Sequence, residues 1–291
     1  MSAEKLSRLR TLLADYGSCI VAYSGGVDSV FLSRVAYEVL GDRALAVIAD
    51  SPSLPRRELD EALRLGREFG FPVEVVATAE FADPRYLENP GNRCYFCKHA
   101  LFAELMPIAR TRGFAVVAYG ENASDIGDHR PGGQAAAEFA VRAPLKEAGL
   151  NKSEIRALSA EMGLPTADKP EMACLSSRIP TGEVVTVAKL RMVEAAEYLL
   201  KDLGFHDVRV RHHELPGPLA TSKPGYLARI EVGPGELTRF LESGNADRTQ
   251  VSLKEIGYQY VTVDLAPYRR AGAPIRWGTA ASAVITPTGG R

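Results

Sequence analysis

The chain has 291 residues, of which 46% are apolar, enough for one large α/β domain with a sizeable core and a smaller second domain. Its 35 basic and 36 acidic residues leave a formal net charge of −1, which argues against a protein whose main partner is nucleic acid. Its start does not resemble a signal peptide, no apolar run reaches the roughly 18 residues that span a bilayer, and its cysteines are too few for a disulfide scaffold. We therefore expect a cytoplasmic protein with reduced thiols and no membrane partner.

Along its first half the chain alternates short apolar runs with amphipathic segments. The predicted helices cover 4–16, 29–40, 56–69 and 97–110, and the predicted strands cover 19–23, 44–49, 73–76 and 115–119. Strands that alternate with helices of this length predict βαβ units and a parallel sheet.

The pattern changes from about residue 152, where a helix is predicted at 152–162 and 167–182 is irregular. The following segments are a long helix at 187–203, strands at 207–211, 227–232 and 258–264, and a helix that begins near residue 235. They predict a smaller α+β domain over 181–270, after a parallel-sheet α/β domain over 1–180. The last stretch, 271–291, is rich in small residues and weakly patterned, so we expect a frayed tail.

The strongest motif is the hexapeptide Ser24-Gly25-Gly26-Val27-Asp28-Ser29, at the junction of a predicted strand and helix. Glycines let backbone N–H groups approach a ligand, and the positive end of the helix favours an anion such as phosphate. The serines add hydroxyl donors, and the Asp28 carboxylate is suited to a magnesium ion that bridges phosphates. A plain strand-to-helix turn is the structural alternative, because these residue types are common in turns. The motif matches neither the Walker loop nor the dinucleotide-binding fingerprint.

This hexapeptide resembles the phosphate loop of the PP-loop ATP pyrophosphatase superfamily. The resemblance implies that ATP is split between its α and β phosphates to adenylate a substrate oxygen. It also implies that Asp50, at the end of the second predicted strand, meets the adenosine part of ATP. A helix cap is the alternative role for Asp50.

Three cysteines are candidates for chemistry or metal binding. Cys94 and Cys97 are three residues apart at the start of a predicted helix, a position that favours the thiolate. One Cys-x-x-Cys motif alone is compatible with half a zinc site, a redox pair or coincidence, and His99, His206, His212 or His213 could add a ligand. Cys174 lies beside Ser176, Ser177 and Arg178 in an irregular segment, whereas Cys19 lies in a predicted core strand and is expected to be a buried hydrophobe.

The segment from Cys174 to Pro180, together with the phosphate loop, resembles the LarE family of ATP-dependent sulfur transferases, and the resemblance covers nearly all of the chain. It implies an anionic nucleotide substrate, pyridinium-3,5-biscarboxylic acid mononucleotide, whose carboxylates become thiocarboxylates for a nickel-pincer cofactor. It also implies a homo-oligomer. Two sulfur sources are open: Cys174 gives up its own sulfur, or Cys94, Cys97 and Cys174 hold a [4Fe–4S] cluster that carries an exchangeable sulfide. The three-cysteine pattern favours the cluster, and Cys174 is essential in both.

The resemblance also assigns binding roles to other residues. Arg178 is expected to bind ATP, and Ser177, Glu197, Arg209, Arg211 and Glu231 are expected to bind substrate. Asp125, Asp128, Arg130 and Pro131 resemble a later nucleotide and substrate loop. The alternatives are solvated charges on a half-buried sheet, a surface helix or a turn.

Two other functions stay open at this point. A different PP-loop adenylating enzyme would form an amide or thiolate a tRNA base, but the length leaves no room for a glutaminase domain and the charge is not that of an RNA-binding protein. A non-catalytic metal-binding regulator is the third possibility, against which the intact phosphate loop argues.

Overall fold

The computed structural model describes residues 2–125, 131–216, 224–242 and 244–268. The strands are β1 (Cys19–Tyr23), β2 (Ala44–Asp50), β3 (Val73–Ala77), β4 (Val116–Tyr119), β5 (Val208–Leu215), β6 (Gly225–Val232) and β7 (Tyr260–Val263). The α-helices are α1 (Ser2–Tyr16), α2 (Val27–Leu40), α3 (Arg56–Glu68), α4 (Pro84–Leu87), α5 (Arg93–Arg112), α6 (Pro131–Glu138), α7 (Pro144–Glu147), α8 (Lys152–Glu161), α9 (Val187–Asp202), α10 (Glu236–Leu241) and α11 (Asn245–Ile256).

The first four strands form a parallel sheet in the order β3-β2-β1-β4, which confirms the predicted fold class. Every residue of β1 is buried, because the strand is central and helices cover both faces. Val21 belongs to a core with α1, α2 and α8, whereas Ile20 belongs to a core with α5 and α6. The carboxyl ends of the strands therefore meet at one edge, where ligands bind in such sheets.

The last three strands form a second sheet in the order β5-β6-β7, in which β5 and β6 are antiparallel and β6 and β7 are parallel. Helices α9, α10 and α11 contribute Leu200, Phe240 and Leu253 to its core. This α+β arrangement follows the predicted elements closely, although the helix expected near residue 235 is two helices. The domain limits near Pro180 stay a prediction, and the predicted tail at 271–291 lies outside the described residues.

Helix α5 differs from its prediction in a way that matters for the site. It begins at Arg93 rather than at residue 97, so both Cys94 and Cys97 lie in its first two turns. Three short helices, α4, α6 and α7, were not predicted, because four to eight residues are too few for a clear helical period. Of the helices in the described ranges, none combines the length and the apolar character needed to cross a membrane.

Candidate functional site

The phosphate loop turns directly from β1 into α2. Gly25 has φ +71°, and a Cβ at this position would lie 2.9 Å from the Cβ of Ala62 in α3, so both conformation and space demand glycine. Gly26 is the N-cap of α2 and makes no side-chain cap hydrogen bond. The N–H groups of the first turn of α2 therefore remain available to an anion.

Hydrogen bonds inside the loop hold its two serines in place. The Oγ of Ser29 accepts from the backbone N–H of Ser24 at 3.1 Å and donates to the carbonyl of Gly26 at 3.1 Å. The Oγ of Ser24 lies 3.1 Å from the Oγ of Ser29. The loop is thus organised by the protein alone, which lowers the ordering cost of binding phosphates.

Asp28 points from the loop towards helix α8. Its Oδ2 accepts from the Nζ of Lys152 at 2.6 Å, while Oδ1 is buried and has no hydrogen-bond partner among the described residues. Burial raises the pKa of the Asp28 carboxyl, and the ammonium of Lys152 opposes that rise. An unsatisfied carboxylate oxygen beside a phosphate loop is a suitable ligand for Mg²⁺.

Gly120, directly after β4, closes the other side of the loop. A Cβ on Gly120 would lie 3.2 Å from both the Cβ of Asp28 and the backbone N of Ser29. A larger residue there would push into the phosphate loop. The predicted nucleotide segment after β4 therefore contacts the loop, although Asp128 and Arg130 lie outside the described residues.

Asp50, predicted to meet adenosine, forms an ion pair with Arg56 and has a half-exposed side chain. Its neighbours Ala49 and Ser51 line the cavity beside the phosphate loop, whereas Asp50 itself does not. The adenosine role of Asp50 stays a prediction. The backbone of 49–51 is the nearer candidate for contact with the nucleotide.

A single cavity of about 520 Å³ connects the phosphate loop to the cysteines. Its walls include Asp28 and Lys152 of the phosphate-loop region and also Cys97 and Cys174. A nucleotide bound by the loop and a group attached to its α-phosphate therefore share one space with two of the three candidate thiols.

The Cys174 segment is held by backbone and side-chain contacts to residues that follow β2 and to helix α4. The N–H of Leu175 donates to the carbonyl of Ser53 at 2.8 Å, and the hydroxyls of Ser176 and Tyr86 lie 2.8 Å apart. An Nη of Arg93 lies 3.9 Å from the Sγ of Cys174 and so places positive charge beside the thiol. Sequence reasoning missed Arg93, although it directly precedes the Cys-x-x-Cys motif.

Arg178 and Glu197 form a buried ion pair with two contacts, at 2.8 and 2.9 Å. Arg178 also donates to the carbonyls of Ala173 and Cys174 at 2.8 and 3.0 Å, and Glu197 accepts from the backbone N–H of Val210 at 3.1 Å. The predicted roles of Arg178 in ATP binding and of Glu197 in substrate binding stay untested. Their contacts suit the positioning of the Cys174 segment against β5 and α9.

The other predicted substrate residues lie next to this pair. Arg211 makes two contacts with Glu231, at 3.0 and 2.9 Å, and donates to the carbonyl of Ser177 at 2.9 Å. Arg209 lies 4.5 Å from the centre of the Tyr268 ring and lines a second, smaller cavity of about 220 Å³. Arg209 and Arg211 both lie on β5, and Arg211 contacts the segment that follows Cys174.

The three cysteines approach one another without forming a site for a single ion. Burial, together with the nearby Cys174, Glu80 and Cys94, raises the pKa of the Cys97 thiol to about 12. Burial and Cys174 also raise the pKa of Cys94. In the part of the chain that the structure describes, no three His, Cys, Asp or Glu side chains are grouped so as to hold a metal ion. Cys19, as predicted, is fully buried in β1.

The histidines proposed as further ligands have other surroundings. His212 is buried between Tyr226 and Tyr258, and His99 packs against Tyr95 and Phe139. Their rings therefore contribute to hydrophobic packing. No described contact joins them to the cysteines.

Comparison with known proteins decides the family. No family model matches the chain. The chain is 35% identical over 268 residues to the pyridinium-3,5-bisthiocarboxylic acid mononucleotide synthase of Lactiplantibacillus plantarum, and the alignment covers 92% of each protein. The chain belongs to the LarE family.

The chain is also similar to two further proteins. It is 42% identical over 269 residues to the uncharacterized protein slr1717 of Synechocystis, an alignment that covers 92% of this chain and 96% of that protein. It is also 28% identical, over 78% of its length, to the tRNA-specific 2-thiouridylase MnmA of Azorhizobium caulinodans, of which 72% is covered. The chain is therefore an ATP-dependent, sulfur-transferring enzyme of the PP-loop type.

Proposed function

We propose that this enzyme adenylates a carboxylate of pyridinium-3,5-biscarboxylic acid mononucleotide and converts it into a thiocarboxylate for the synthesis of a nickel-pincer cofactor. The observation that carries the proposal is the single cavity that joins the phosphate loop to Cys97 and Cys174. It occurs in a chain that is 35% identical to a synthase named for the bisthiocarboxylic product.

In the first step, a carboxylate oxygen of the substrate attacks the α-phosphorus of ATP, and pyrophosphate leaves. The N–H groups at the start of α2 and the ammonium of Lys152 stabilise the negative charge that develops on the pyrophosphate. Asp28, through its unpartnered Oδ1, would hold the Mg²⁺ that neutralises further charge on the phosphates.

In the second step, a sulfur nucleophile attacks the acyl carbon, a C–S bond forms, and the bond to AMP breaks. If Cys174 is the nucleophile, its own Cβ–S bond must then break by elimination of the α-proton, which leaves dehydroalanine. The guanidinium of Arg93 stabilises negative charge on the Cys174 sulfur.

We favour a [4Fe–4S] cluster held by Cys94, Cys97 and Cys174 as the source of sulfur. The donor set supports this choice, because Cys94 and Cys174 lie near enough to Cys97 to raise the pKa of its thiol, and the buried carboxylate of Glu80 lies beside it. A cluster carries its ligands on different irons, so the sulfurs need not converge on one point as they must for a single ion. When bound, the cluster would supply an exchangeable sulfide, and Cys94, Cys97 and Cys174 would hold it.

Substrate binding, cellular location and oligomeric state are also part of the proposed function. Arg209 and Arg211 of β5 would bind the anionic substrate together with the neighbouring Ser177, and Glu231 would hold Arg211 in place. A reaction that needs ATP and reduced thiols suits the cytoplasm. The homo-oligomer implied by the family resemblance is testable by light scattering.

The experiment separates the two sulfur sources. Iron and acid-labile sulfide are assayed after anaerobic purification in the wild type, in Cys94→Ser and in the core-strand control Cys19→Ala. The cluster requires both elements in the wild type and the control and their loss in Cys94→Ser. An iron-free wild type with Cys174 about 34 Da lighter after turnover would instead identify the cysteine as the sulfur donor.

A further inference from the structure

Glu80 is the most deeply buried carboxylate in the described part of the chain. It follows β3 in the short helical turn Glu80–Ala82 and is only 1% exposed. Neither of its carboxylate oxygens has a hydrogen-bond partner there. A carboxylate buried in this way is strongly disfavoured unless a cation or several donors approach it.

Glu80 is directed towards the cysteines. It lines the same cavity as Cys97 and Cys174, and its charge acts on the Cys97 thiol together with the charges of Cys94 and Cys174. Three thiols and a carboxylate thus share one region, each of them able to carry negative charge. Such a group is stable in its charged form only around a positive centre.

The chemistry of these donors points to iron. Thiolates bind soft and borderline transition metals, and a carboxylate adds a harder oxygen donor that iron also accepts. Three cysteines leave one iron of a four-iron cluster without a cysteine ligand. An oxygen ligand at that iron protects it, while remaining easier to replace by sulfide than a thiolate would be.

We propose that Glu80 is the oxygen ligand of the iron that lacks a cysteine, in a cluster otherwise held by Cys94, Cys97 and Cys174. This inference rests on the cluster in the proposed function, but not on the identity of the carboxylate substrate. It assigns a role to a residue that stands outside every motif in the chain and explains why its carboxylate is buried without a partner.

The test compares four full-length proteins reconstituted anaerobically with ferrous iron and sulfide: wild type, Glu80→Gln, Glu80→Cys and Glu88→Gln. Glu88 is exposed and serves as the matched control. Glu80→Gln should lose iron to a chelator about tenfold faster than wild type and give a changed electron paramagnetic resonance spectrum. Glu80→Cys supplies a fourth thiolate and should lose iron more slowly than wild type, while Glu88→Gln should match wild type.

Identical chelation rates and spectra in wild type, Glu80→Gln and Glu80→Cys would overturn the inference and leave the cluster standing. A wild type that takes up no iron would overturn both the inference and the cluster. Carboxylate-dependent exchange of pyrophosphate into ATP, measured on the same samples, reports separately whether the adenylating function holds. Circular dichroism shows whether each variant is folded. If Glu80→Gln does not fold, the comparison of Glu80→Cys with wild type still tests the inference.

Discussion

The Nζ of Lys152 lies 2.6 Å from the Oδ2 of Asp28, so the first residue of α8 is paired with the phosphate loop. Lys152 also lies 3.7 Å from Glu171, just ahead of the Cys174 segment. One ammonium therefore stands between the loop that binds phosphates and the segment that carries the thiol.

We expect Lys152→Ala to reduce the exchange of pyrophosphate into ATP by about 100-fold, because one preorganised positive group at the leaving pyrophosphate is lost. Lys152→Arg should retain part of the activity, since it keeps the charge. The exposed Lys254 on α11, changed to Ala, is the control. An exchange rate for Lys152→Ala within twofold of wild type would show that this ammonium does not act on the phosphates.

Arg178 holds the Cys174 segment through charge as well as hydrogen bonds. Arg178→Ala leaves Glu197 buried without its partner, and we expect it to lower the free energy of unfolding by about 3–5 kcal/mol. The double variant Arg178→Met with Glu197→Leu removes both charges and should recover much of that stability. It should still be slow in sulfur transfer, because the carbonyls of Ala173 and Cys174 lose their donor.

Urea unfolding and thiocarboxylate formation, measured on the same variants, separate these effects. Arg57→Ala breaks an exposed pair with Asp202 and should change unfolding far less. A double variant with wild-type sulfur transfer would show that Arg178 serves stability alone.

The phosphate loop could be predicted from the sequence because its chemistry is local. The strand Cys19–Tyr23 is apolar throughout, the glycines follow at once, and a helix begins with Val27. Every residue that shapes this turn lies within a few positions along the chain. The parallel sheet could be predicted for the same reason, from short apolar runs separated by helices.

The partners of the charged residues could not be predicted, because the fold pairs residues that are distant in sequence. Lys152 meets Asp28 across 124 positions, and Arg93 approaches Cys174 across 81. Arg178 is close to Cys174 in the sequence, but the guanidinium that lies beside the Cys174 sulfur is that of Arg93. Glu80 gave no signal at all, since an acidic residue after a strand usually faces solvent.

His212 should make stability depend on pH. Burial lowers the pKa of His212 from 6.5 to about 4, so below pH 6.5 the unfolded chain binds a proton that the folded chain does not. Stability is therefore lost as the pH falls from about 6.5 to about 4, by up to about 3 kcal/mol. The comparison is urea unfolding at both ends of this range for wild type, His212→Gln and the exposed control His206→Gln.

His212→Gln should show a smaller loss between the two pH values, whatever its absolute stability, while His206→Gln should follow wild type. An equal loss in all three proteins would assign the acid sensitivity to other groups. The result matters for the site because β5 carries His212 as well as Arg209 and Arg211. Unfolding of β5 in acid would therefore also break the contact between Arg211 and Ser177.

Arg93 should affect sulfur transfer without affecting adenylation. Its guanidinium donates to the carbonyl of Ser176 at 3.1 Å and also to the side chain of Asn89, which leaves the other Nη beside the Cys174 sulfur. Since this charge acts only where sulfur carries negative charge, Arg93→Ala should leave pyrophosphate exchange within about twofold. Thiocarboxylate formation should fall about 10- to 100-fold in a single turnover.

Arg110, exposed near the other end of α5, provides the matched control as Arg110→Ala. Arg93→Lys keeps the charge but loses the fork that reaches both the carbonyl and the sulfur, so it should restore only part of the rate. Iron content measured alongside shows whether the cluster is retained. A fall in both half-reactions would mean that Arg93 shapes the whole site, whereas a fall in sulfur transfer alone means that different residues serve adenylation and thiolation.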